Sequence, residues 1–83
     1  MLFHWDEENR AHLAPHDVSP SQAEAVFGAD DAVFRQDATH RNRWIVEATV
    51  EGRTLKVAFA RVFPEGCRVI TAHWMSSKRR RKP

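Results

Sequence analysis

The run Arg43-Trp44-Ile45-Val46-Glu47-Ala48-Thr49-Val50-Glu51-Gly52-Arg53-Thr54-Leu55-Lys56-Val57-Ala58-Phe59-Ala60-Arg61-Val62-Phe63 decides the fold. Its side chains alternate with a period of two. Trp44, Val46, Ala48 and Val50 fall on one face, with Ile45, Glu47 and Thr49 on the other. After Glu51-Gly52 the alternation resumes, with Leu55, Val57, Phe59, Arg61 and Phe63 set against Lys56, Ala58, Ala60 and Val62. A period of two, rich in β-branched and aromatic residues, marks half-buried strands, and a two-residue turn between them marks a hairpin. Pro64-Glu65-Gly66 makes the next turn, and the last strand starts at Cys67. Upstream, Ala32 to Asp37 reads as a further strand and Asp37 to Asn42 as a polar loop.

The first third has a different period. Asp6 can cap a helix whose first turn carries Glu7 and Glu8, where the helix dipole favours anions. That helix stops near Ala14, because Pro15 disfavours α geometry in the residue before it. Ser19-Pro20-Ser21-Gln22 is a second start: Ser19 caps, Pro20 takes the first helical position, and Gln22 completes a capping box. This helix ends at Gly28. Leu2-Phe3-His4-Trp5 is an edge strand or a packed arm, and Ser76 or Ser77 can cap a short terminal helix. The order β-α-α-β-β-β-β-α predicts an α+β fold in a single domain, 1–83: an antiparallel meander with two helices on one face and a short basic helix at the end.

Eighty-three residues bury about 60% of their extended surface, which favours a shallow site over a deep pocket. One cysteine, Cys67, precludes an internal disulfide and suits a reducing cytoplasm. The sequence has no apolar run near membrane-spanning length and no basic-then-apolar leader, so neither a membrane partner nor a signal peptide is expected. The net charge of +2 hides a division. Met1 to Asp37 carries two cations against eight carboxylates, whereas Ala38 to Pro83 carries eleven against three. Such a split points to an anionic partner for the second half, or to acidic helices neutralising a basic sheet.

Several short motifs, taken in order, resemble a known family. They are Phe3-x-Trp5-Asp6, His16-Asp17-Val18-Ser19 leading into Ala23-x-x-Val26-Phe27, Gly52-Arg53-x-Leu55, and Arg68-Val69-Ile70-Thr71-Ala72 with a basic segment after it. This chain resembles the BrnT-type toxins, small bacterial ribonucleases of type II toxin–antitoxin systems. Their pattern reads roughly F-x-W-D, K-H-G-V-S, G-R-x-L, R-I-I-S-A-R and a terminal E-R-x-x-Y. The likeness covers nearly the whole chain. Pro15 stands at the pattern's lysine, Asp17 at its glycine and His73 at its last strand arginine; Lys78 lies near the acidic residue, and the final tyrosine is missing. The resemblance implies a BrnT/RelE-like fold, an RNA substrate, and a small cognate antitoxin of the ribbon-helix-helix (BrnA-like) type. The assembly would be a dimer or a toxin–antitoxin heterotetramer. The alternative is a BrnT-fold module that binds nucleic acid or protein without cleaving.

A metal-independent ribonuclease must deprotonate a ribose 2′-hydroxyl, stabilise a phosphorane and protonate the leaving 5′-oxygen. Histidine suits the proton transfers and fixed cations suit the phosphorane. His16 and His73 are the catalytic pair expected, with His40 a weaker candidate in the polar loop. Arg53 and Arg68 are the expected catalytic cations. Arg43, Arg61, Lys78, Arg79 and Arg80 are expected to contact RNA. Trp74 either stacks an unpaired base or covers the end of the sheet. His4 and His12 have ordinary surface roles. His12 and His16 share i, i+4 spacing, but Pro15 breaks the helix between them, so no metal site is expected. No cofactor is expected, and Cys67 reads as a packed, inert thiol.

Overall fold

The computed structural model describes residues 2–75. Five strands form one sheet: β1 (Leu2–Phe3), β2 (Val33–Gln36), β3 (Arg43–Val50), β4 (Arg53–Val62) and β5 (Gly66–Trp74), in the order β1-β5-β4-β3-β2. Strands β2 to β5 run antiparallel as the expected meander, and β1 pairs parallel to β5 through Leu2 with Gly66 and Phe3 with Cys67. The N-terminal apolar segment is therefore an edge strand. The expected terminal helix, its Ser76 or Ser77 cap, and the cations Lys78, Arg79 and Arg80 lie outside the described residues.

The helices begin where their caps demand. Helix α1 (Glu7–Leu13) starts behind Asp6, whose side chain accepts from the Asn9 backbone N–H while Asn9 accepts from that of Asp6. Asn9 is almost fully buried, and its amide nitrogen also donates to the His4 carbonyl at 2.8 Å, so neither end of its side-chain amide is stranded. Ser19 and Gln22 form the expected box at the start of α2 (Pro20–Phe27). Between the helices a 3₁₀ turn, Ala14–His16, carries Pro15, and Asp17 ends it in the left-handed region at φ 59°.

Leu13, Val18, Ala23 and Val26 from the helical third share one buried cluster with Val46, Ala48, Val50, Leu55, Val57, Phe59, Cys67, Val69 and Ala72. Trp5 ties the N-terminal segment to α2 through a 2.7 Å bond from its indole N–H to Glu24. Each large side chain so buried contributes about 1.5–3 kcal/mol. Side chains alternate across a sheet, so Ile45, Glu47, Lys56 and Ala58 share the opposite face. The alternation overruns in one place: β4 stops at Val62, and Phe63 enters the turn 93% exposed instead of joining the core.

The last strand hides one irregularity. Ala58 pairs with Thr71 but Phe59 pairs with Val69, so Ile70 is an extra residue, a β-bulge. Cys67 and Val69 face the core before it, Ala72 faces the core after it, and His73 is carried onto the open face. Without the bulge, a strict period of two from Val69 would send His73 inward and Ala72 and Trp74 outward.

Candidate functional site

His16 and His73, 57 positions apart in sequence order, meet at the edge of the sheet. Their ring centroids lie 5.9 Å apart with a 49° tilt. His73 is delivered by β5, and His16 by the 3₁₀ turn that packs against the same strand. The turn is fastened next to His16: the Trp74 indole N–H donates to the Asp17 carbonyl at 3.1 Å. Asp17 is thus a left-handed residue whose carbonyl is pinned by the neighbour of His73. At the other side of the indole, the Arg53 guanidinium carbon rests 4.2 Å from the ring centroid, a cation–π contact. Arg53, Trp74, Asp17, His16 and His73 form one continuous cluster.

The open face supplies the charges around His73. Glu47 pairs with Lys56, and Lys56 with His73, so the three lie in one row across β3, β4 and β5. Glu47 accepts from Arg35 at 2.9 Å. The imidazole of His73 titrates below the usual histidine value, first because burial disfavours its charged form, then because Lys56 and His16 repel a proton there; Glu47 opposes them. At neutral pH this favours neutral His73, which can accept a proton. Such a pair, one ring held neutral and the other more exposed, can remove one proton and supply another across a group seated between them.

The other residues singled out from sequence fall elsewhere. Arg68 sits before the bulge and is engaged: it donates to Asp6 at 2.6 Å and to Glu8 at 3.3 Å, clamping α1 to β5. Arg43 pairs with Ala60 in the row that also holds Arg68, at the far end of the open face. Arg61 pairs with Cys67 near the β4–β5 turn. His40 stands in the β2–β3 loop, bonded to the Thr39 hydroxyl at 2.9 Å. His12 and His16 lie on separate elements, α1 and the 3₁₀ turn. The Cys67 thiol is buried and pushed up to about 11, chiefly by desolvation, so it stays protonated. Trp74 covers the sheet end: its N–H is spent on Asp17 and one face on Arg53.

Lys56 escaped the sequence reading. On alternation alone it is one more solvent-facing cation, and only the register of β4 on β5 places it opposite His73.

Residues 5–78 match the family model described as ribonuclease toxin, BrnT, of type II toxin–antitoxin systems. Among solved structures, the fold is similar to the crystal structure of the Brucella abortus ribonuclease toxin BrnT, with a TM-score of 0.73 and 21% sequence identity. The alignment covers 93% of this chain and 100% of that one. At that identity the likeness speaks for the fold. No curated protein matches the chain.

Proposed function

The chain belongs to the BrnT family of ribonuclease toxins of type II toxin–antitoxin systems, and from that premise we propose that it cleaves RNA without a metal, through the histidine pair. His73 takes the proton of a ribose 2′-hydroxyl. The 2′-oxygen attacks phosphorus, the bond from phosphorus to the 5′-oxygen breaks, and His16 protonates that leaving oxygen. The products are a 2′,3′-cyclic phosphate and a 5′-hydroxyl. Arg53 rests on an aromatic face and makes no ion pair among the described residues, so its charge is available to phosphate. Arg68 joins it only by exchanging Asp6 and Glu8 for RNA. Arg43, Arg61, Lys78, Arg79 and Arg80 add affinity for the backbone that falls with salt. The toxin acts in the cytoplasm and is masked by a small ribbon-helix-helix antitoxin of the BrnA type, in a heterotetramer.

The observation that carries this reading is the 5.9 Å approach of His16 and His73. The test is cleavage of RNA by the purified chain in EDTA. Cleavage is expected, with cyclic-phosphate ends, and His16→Ala and His73→Ala should each lower it by about 100-fold or more. A 2′-O-methyl RNA should survive. Retained cleavage in both variants would sink the mechanism. Intact RNA that still shifts on a gel at low salt would instead leave a binding module of the same fold.

A further inference from the structure

Two imidazoles can move protons, yet neither neutralises the charge that a phosphorane adds, so the pair needs a cation at the phosphate itself. Arg53 lies at the sheet end against Trp74, and Arg68 is held by Asp6 and Glu8. The cation nearest His73 by register is Lys56. Residues directly opposite on antiparallel strands have Cβ atoms about 4.5–5.5 Å apart, within easy reach of a lysine. Its other cross-strand neighbour, Glu47, is the obvious counter-ion, but Glu47 is taken by Arg35 at 2.9 Å. No carboxylate lies within ion-pair distance of the Lys56 ammonium among the described residues. Lys56 is half-buried on β4, a strand flanked on both sides, so its stem is held on a rigid element.

We propose that Lys56 is the phosphate-binding residue of this site, forming with His73 and His16 a subsite for the scissile phosphodiester on the open face of the sheet. The proposal rests on the reading of the chain as an RNA-cleaving toxin and adds to it the group that meets the transferred charge. It also fixes the face for the reacting group: the scissile phosphate sits over β4 and β5 beside Lys56 and His73, on the side away from the helices. The charged groups acting on His73 are Lys56 from β4, Glu47 from β3 and His16 from the 3₁₀ turn. Lys56 therefore has a second effect: after burial, which comes first, its charge helps to hold His73 neutral before substrate arrives.

The test uses the full chain and the variants Lys56→Met and Lys56→Arg. The His16 and His73 ring protons are followed by NMR against pH and against added inorganic phosphate, and RNA cleavage is measured beside them. In the wild type, phosphate should perturb both rings. Lys56→Met should weaken phosphate about tenfold, raise the His73 titration midpoint, and lower kcat on the order of 100-fold, the usual loss for one oxyanion-stabilising group. Lys56→Arg should restore most of the phosphate response and part of the rate. Amide spectra of each variant report folding, so an unfolded variant is not mistaken for an inactive one. Phosphate that leaves both rings unmoved in the wild type overturns the proposal. So does a folded Lys56→Met chain with wild-type phosphate affinity and cleavage, and in that case the ribonuclease reading stands. If the wild type cleaves no RNA yet loses its phosphate response in Lys56→Met, the ribonuclease reading fails and the anion subsite stands.

Discussion

Replacing Trp74 by phenylalanine isolates the bond that positions His16. Phenylalanine keeps an aromatic face for Arg53 and most of the apolar volume, but it cannot donate to the Asp17 carbonyl, which the indole now does at 3.1 Å. A neutral hydrogen bond contributes about 0.5–1.5 kcal/mol. The site is half-exposed, so water can satisfy the abandoned carbonyl, and no more than the middle of that range applies. At about 1 kcal/mol, an open form of the turn becomes roughly five times more populated relative to the closed one. The stability cost is modest because Trp74 is only one of many side chains holding β5 to the core.

The catalytic cost is larger. His16 immediately precedes Asp17, a non-glycine residue at φ 59°, where backbone strain favours relaxation once its tether is cut. A misplacement of about 1 Å in a reacting group can cost on the order of 100-fold in rate. Trp74→Phe should therefore lose about 1 kcal/mol in urea denaturation but 10- to 100-fold in RNA cleavage. The NOE between the His16 and His73 rings should weaken with it. Trp74→Ala, which also removes the cation–π contact and the packing of a part-buried ring, should destabilise by about 2–3 kcal/mol. If Trp74→Phe cleaves RNA at the wild-type rate and keeps the ring–ring NOE, the bond to Asp17 does not position His16.

His73 should titrate below the ordinary histidine midpoint, and Glu47→Gln should push it lower still by removing the carboxylate that favours the charged ring. Because the folded value is depressed, the unfolded chain binds the proton more readily; this stability is present above the unfolded midpoint and is lost as pH falls through the window below it, visible in urea midpoints across pH 7 to 5. Asp6 behaves in the same sense at lower pH: the bond from Arg68, aided by the Asn9 N–H, lowers its carboxyl to about 2. Stability should hold above the ordinary aspartate range and fall between about pH 4 and 2, a step that Arg68→Met should shrink. Asp17→Gly should raise the urea midpoint, since glycine adopts φ 59° without the steric cost that aspartate bears; an unchanged or lower midpoint would show that the strain relieved does not exceed the entropy glycine adds to the unfolded chain.

The hairpin and the helix starts were legible because each rests on a local signal. Alternation from Arg43 to Val62 needs only neighbouring residues, and the Ser19–Gln22 box needs four. The pairing of His16 with His73 was nameable from motifs, yet its distance was not, because two non-local features set it. One is the bulge at Ile70, which decides the face on which His73 emerges. The other is the tether from Trp74 to Asp17. Arg68 shows the opposite failure: a residue in a family-like motif reads as a clamp for phosphate, but the fold brings Asp6 and Glu8 to it from the far end of the chain. Charge identity is local information, whereas charge availability depends on which carboxylate the topology brings near.

The same distinction bears on position 73. The BrnT pattern carries an arginine there, a fixed charge that binds phosphate but moves no proton at neutral pH. Here the position is His73, and a lysine stands directly across the strand pair at Lys56. A cation beside an imidazole keeps the ring neutral, and a neutral ring is the form that can accept a 2′-hydroxyl proton. Charge and basicity, which one arginine cannot supply together, are divided between two side chains on neighbouring strands. The division predicts non-additivity: Lys56→Met should cost far less in a His73→Arg background than alone, because the arginine restores charge at the phosphate while the base is already gone. Equal costs in both backgrounds, read as a double-mutant cycle on cleavage rate, would mean that the two residues act separately.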